Sequence, residues 1–220
     1  VTDSTATHPA TPPARNPGAV WLIATGSAAL IGLGLQLLSG VGGLPGMVGG
    51  ISTLLRLLLT YLLGPIGFLV AMVLLAGIRN AGFASIIGTS RARQMLLGAF
   101  GAGLWLAQAA YLFSLFDTPA TRGVGEVVRL VITAIVFVLG IVCAWLIDQA
   151  GVATGFARRS LLVALALWLV TLILFAGPVG ASVLWDLPRI LGVLILGVSW
   201  MHVGQARSTS VPASAKVLAE

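Results

Sequence analysis

Apolar and polar positions fall along the chain in long blocks, without the two-residue alternation of a strand or the one-sided stripe of a soluble helix. Apolar runs cover residues 19–38, 53–78, 94–116, 127–147, 160–176 and 187–203, each bounded by charges or by Gly and Pro. A helix rises about 1.5 Å per residue and a bilayer core is about 30 Å thick, so each run is long enough to cross, the last two only just. Runs of this length without in/out alternation exclude the short strands of a membrane β-barrel. The expected fold is all-α: a polytopic membrane protein with a bundle of six transmembrane helices over residues 19–204. Polar tails at 1–18 and 205–220 hold no apolar run and are expected to be disordered and cytoplasmic. Run 19–38 has the length of a full span and reads as a retained first helix, because a signal peptide would carry a shorter apolar core. Between the last two runs, Pro178, Gly180 and Asp186 read as a tight turn, with a re-entrant hairpin as the alternative.

Composition sharpens the class. Of 220 residues 58% are hydrophobic and 8% charged, with a mean hydropathy of +1.07, where a soluble domain carries about 25% charged residues. So little charge cannot coat a water-facing surface, which rules out a soluble enzyme, a nucleic-acid-binding domain and a disulfide scaffold. The net charge of +6 would suit nucleic acid, but the basic residues stand singly or in pairs between apolar runs and form no stripe along which a phosphate backbone could run. The expected partners are the lipid bilayer and a partner membrane subunit. Eleven of the twelve basic residues are Arg, and with abundant Ala, Gly, Leu and Val this points to a high-GC bacterial genome and an inner (plasma) membrane.

Charge also sets the topology. With a cytoplasmic N-terminus, the inner side collects Arg15, Arg79, Arg91, Arg93, Arg158, Arg159, Arg207 and Lys216, while Arg122 alone lies in an outer loop. That bias predicts six spans with both termini inside. Arg56, Arg129 and Arg189 remain, each near an outer helix entrance and each three or four residues after a residue able to cap: Ser52, Glu126 and Asp186. Every odd-numbered run is also preceded by Arg on the inner side, so the chain reads as three helical hairpins of related design.

Those three Arg are the candidate site. Either each snorkels to its own headgroup region, or they converge on an outward-facing cavity that binds an anionic or amphipathic ligand. Arg56 is the foremost of them, with no acidic partner at the neighbouring helical positions and an apolar run around it. Gln36 and Gln108 are in-span amides able to bond across helices or to that ligand, and the uncharged, six-glycine stretch 40–50 would roof the site. Gly64-Pro65-Ile66-Gly67 predicts a kink in mid-span. Gly26, Gly32, Gly34, Gly98, Gly101 and Gly103 predict close helix packing, and the six Trp an aromatic belt.

No cofactor or metal is expected. His202 stands alone outside the tail, Cys143 is the one cysteine and reads as a small buried hydrophobe, and no acid/base pair or nucleophilic constellation is visible. The reading is therefore a small permease-like or solute-binding membrane subunit, not an enzyme, with a non-catalytic scaffold or accessory subunit as the alternative. In size and span number it resembles the substrate-binding subunits of energy-coupling-factor vitamin importers, with no motif to carry the resemblance.

Overall fold

The computed structural model describes residues 17–39, 53–77, 86–114, 118, 122–153, 155–176 and 187–209. The expected disorder of most of both tails, the 40–50 roof, the 177–186 turn and the roles given to Arg15, Ser52, Arg79, Asp186 and Lys216 lie outside the described residues. What is described is helical, with no strand: α1 (Pro17–Ser39), α2 (Thr53–Leu58), a π-helical turn (Leu59–Leu63), α3 (Gly64–Ala76), α4 (Arg91–Ser114), α5 (Arg122–Ala150), α6 (Ala157–Ala176) and α7 (Leu187–Thr209). The second apolar run is thus one rod, α2 to α3, with a wide turn where the Gly-Pro signal predicts a kink. Five of the rods are both long and apolar enough to cross a membrane: α1, α2 to α3, α5, α6 and α7. The sixth, α4, is long enough at 24 residues, but opens on two Arg and carries Gln94, Gln108 and three Gly.

Several helices extend past their hydropathy boundaries, while α3 stops at Ala76, two residues short of its run. α5 begins at Arg122 and runs 29 residues, about 43 Å, and α7 continues to Thr209. Hydropathy marks only the stretch suited to hydrocarbon, whereas backbone hydrogen bonding carries the helix on into water. Two expectations fall with this. Arg122 is a helix residue and not a loop residue, and Glu126, a full turn inside α5, cannot cap it.

Six rods close into a ring, packing in the order α1, α3, α4, α5, α6, α7 and back to α1. Every neighbouring pair is antiparallel. On α1 and α7, Gly26 lies beside Gly197 and Ala19 beside Gly204; on α4 and α5, Gly103 meets Val136 and Phe100 meets Gly140. Arg91, Arg93, Arg158, Arg159 and Arg207 gather at one end, hereafter the basic end. There Arg158 pairs with Asp148 and donates to its carbonyl oxygen (2.8 Å), and Arg207 donates to Val152 O (2.6 Å), tying α7 to the α5–α6 connection.

One of the tightest contacts in the ring is between backbones. A Cβ on Gly67 of α3 would lie 2.5 Å from Gly32 Cα and 2.6 Å from Ala28 O, so only glycine lets α1 and α3 meet at this level. Gly101 packs on Met72 and Gly103 on Val136, as expected of small residues, but nothing lies within 4 Å of a Cβ on Gly34. Cys143 is fully buried in the core. The aromatic-belt reading fails for three of the Trp: Trp200 is 1% exposed, Trp105 bonds inside the bundle, and Trp168 lines the interior. Helix ends near the interface hold interior positions too, and sequence position alone does not separate the two.

Candidate functional site: a central cavity with a polar head

The ring surrounds a cavity of about 90 Å³. α1, α3, α4, α6 and α7 line it, and α5 contributes no residue. Its walls are apolar along most of their length, with Phe68, Phe100, Leu104, Leu165 and Trp168 among them. Three lining side chains are polar: Gln36, Gln108 and Arg189. All three lie toward the end opposite the basic end, since Gln36 is near the end of α1, Gln108 past the middle of α4 and Arg189 the third residue of α7.

The sequence explains how the head is held. In the π turn the Gly64 N–H reaches back five residues to Leu59 O. The next donor in that register would be residue 65, and Pro65 has no N–H, so Thr60 O loses its main-chain donor. Gln36 Nε2 donates to that carbonyl oxygen at 3.1 Å. Two residues on, Trp105 Nε1 donates to Leu62 O at 3.2 Å. The mid-span Pro is thus accommodated by side chains from α1 and α4.

Gln36, 6% exposed, then uses its other end on the cation: Arg189 donates from a terminal guanidinium nitrogen to Gln36 Oε1 at 3.2 Å. The Arg189 backbone N–H donates to Thr171 Oγ1 (3.1 Å), and that hydroxyl donates to Leu167 O (3.2 Å), so α6 fixes the start of α7. Pro188 beside it sits in the first turn, where its missing N–H costs nothing. Gln108 lines the same cavity and makes no hydrogen bond to another described residue.

Of the five residues expected at a site, the structure brings Arg189, Gln36 and Gln108 to one cavity. Arg56 and Arg129 do not line it. Arg129 is the eighth residue of α5, a full turn deeper in its helix than Arg56 and Arg189 are in theirs, so the three entrances are not equivalent. Arg56 precedes Thr60 by one turn on the same rod, is half-buried, and its Nε is buried with no hydrogen-bond partner among the described residues. The sequence reading did not assign Thr60 O, Thr171 or Trp168 to the site. Pro65 marked a break in the helix, but which carbonyl it would free depends on the π register, which no pattern announces.

Fold and site together define a helical membrane-type bundle built around an amphipathic cavity. No protein-family model, curated protein or solved structure matches the chain.

Proposed function

We propose that this protein is a small solute-binding or permease-like subunit of a bacterial inner membrane, crossing six times with both termini in the cytoplasm, and that it binds an anionic or amphipathic ligand in its central cavity. One observation carries the reading: Arg189 and two amides stand in the wall of a cavity that is otherwise apolar. A cation at the centre of a span costs about 2.5–3.5 kcal/mol, and less toward the helix ends, where Arg189 stands. An interfacial anchor escapes that cost by reaching outward to headgroups, whereas Arg189 is tied to Gln36 within the bundle. A guanidinium and two amides bind and orient a ligand rather than transform it. The crossing of α4 is supported by its length and by its place in the ring, between α3 and α5. The orientation is supported by the five Arg of the basic end, which the positive-inside bias places in the cytoplasm, leaving the polar head of the cavity facing outward.

The test is a thermal-shift series on the detergent-purified protein with phosphate, short carboxylates and a medium-chain carboxylate such as decanoate. A ligand at one hundred times its Kd stabilises by about 2.7 kcal/mol, which is several degrees in melting temperature. Arg189→Leu is expected to abolish the shift and Arg129→Leu to leave it intact. A full shift in Arg189→Leu, or no shift with any anion in the wild type, overturns the reading.

A further inference from the structure

The cavity is a short shaft with a floor. Along α4 its lining runs from Gln108 back to Phe100, eight residues or about 12 Å. Phe100 is fully buried, and Leu161, the fifth residue of α6, is 1% exposed. On these two helices no lining residue lies nearer the basic end. Beyond them the interior is filled: Trp200, eleven residues after Arg189 on α7, is 1% exposed and is not part of the wall, and Ile86 and Ile87, just before α4, are buried. The volume then limits what the shaft can hold. An apolar cavity of about 150 Å³ takes up one benzene ring, about 25 Å³ for each carbon. At about 90 Å³, this one is filled by a chain of no more than about four carbons.

Charge along the shaft is confined to one end. Arg189 is the one cation among the described residues that line it, and Gln36 and Gln108 are the other polar groups. A guanidinium presents its N–H groups as a planar fork that matches a carboxylate, and the Gln108 amide adds two donors beside it. Gln36 contributes no second pair, because its amide nitrogen is engaged with Thr60 O. One carboxylate is therefore neutralised and bonded at the head, while a chain attached to it meets Phe68, Leu104 and Leu165. A second carboxylate at the far end of that chain would stand unpaired against Phe100 and Leu161, where apolar surroundings penalise charge heavily. Inorganic phosphate brings no apolar part with which to fill the shaft.

We propose, building on the anion-binding reading above, that the ligand is a short-chain monocarboxylate of about three to five carbons, in keeping with the volume. Its carboxylate sits against Arg189 and Gln108, and its chain points toward the basic end. Leu161 and Val193 set the permitted chain length, because both line the apolar part of the shaft and Leu161 stands at its floor. Each methylene buried there is worth about fourfold in affinity until the floor is reached, after which a longer chain has no room.

The experiment is isothermal titration calorimetry on the full chain in lipid nanodiscs at neutral pH, with empty nanodiscs subtracted. The probes are the linear carboxylates from acetate to octanoate, with butyramide, succinate and phosphate as the uncharged, dianionic and chainless arms. Affinity is expected to rise about fourfold per methylene from acetate to butyrate and to fall at least tenfold by octanoate. Butyramide, succinate and phosphate are each expected to bind at least tenfold more weakly than butyrate, and Arg189→Leu to erase the preference for butyrate over butyramide. Leu161→Ala is expected to move the best chain length up by about two to three carbons, the side-chain carbons it removes, and Val193→Ala, the milder change, by about one to two. Octanoate binding as tightly as butyrate overturns the size limit, and succinate binding as tightly overturns the single charge; both leave the anion site standing. An unmoved optimum in both cavity-enlarging variants overturns the placing of the chain. Failure of every carboxylate and of phosphate removes the anion site as well.

Discussion

Gln36→Leu is the substitution with the most to lose for its size. The two side chains have similar volume, so packing changes little, but Gln36 bonds at both ends: its amide nitrogen to Thr60 O at 3.1 Å and its oxygen to Arg189 at 3.2 Å. Interhelical hydrogen bonds in membranes contribute about 0.6–2 kcal/mol each, so losing both costs about 1–4 kcal/mol. The upper part of that range is expected, because Pro65 cannot supply Thr60 O with the donor that leucine withdraws. The assay is reversible unfolding in mixed micelles titrated with a denaturing detergent, run as a double-mutant cycle with Arg189→Leu. A coupling of about 0.5–3 kcal/mol between residues 36 and 189 is the expected size for bonded neighbours. Amide exchange in the π turn should also rise in Gln36→Leu. A loss below about 0.5 kcal/mol with zero coupling would mean that the Gln36 network does not hold the head of the cavity, and the reasoning from Pro65 to Arg189 would fall.

Gly67→Ala is expected to cost about 1–3 kcal/mol in the same assay, since its Cβ would meet the α1 backbone at 2.5 Å, while Gly34→Ala, with nothing within 4 Å, should cost nothing. Equal effects would remove the backbone contact between α1 and α3. Asp148→Asn should cost less than about 1 kcal/mol, because both partners of the Asp148–Arg158 pair are half exposed and Arg158 keeps its bond to the residue 148 carbonyl. A larger loss would show the basic end to be more tightly coupled to the bundle than its exposure implies.

The all-helical class and the approximate helix positions were legible because apolar run length is a direct image of bilayer thickness. The ends were not, because α5 begins before its apolar run and α7 continues past its own, as Arg122 and Arg207 illustrate. For the site, charge scarcity pointed to Arg189 and polarity within spans to Gln36 and Gln108. Their convergence depends on how α1, α4 and α7 are rotated in the ring. The same logic that selected Arg189 selected Arg56 and Arg129, whose place outside the cavity is set by helix phase and by where each helix begins. Trp168 was read as a belt residue because its distance from a span end was visible and the direction of its ring was not.

The central claim is that the polar head of the cavity opens to the side opposite the basic end, outside the cell. Gln108→Cys in a Cys143→Ala background, treated with a membrane-impermeant maleimide, tests it most directly. Labelling of intact spheroplasts, slowed by a bound anion, together with no labelling of inverted vesicles, is the result the account predicts. Labelling from the cytoplasmic side, or labelling from neither side under conditions that label the exposed position of His202→Cys in inverted vesicles, would contradict it.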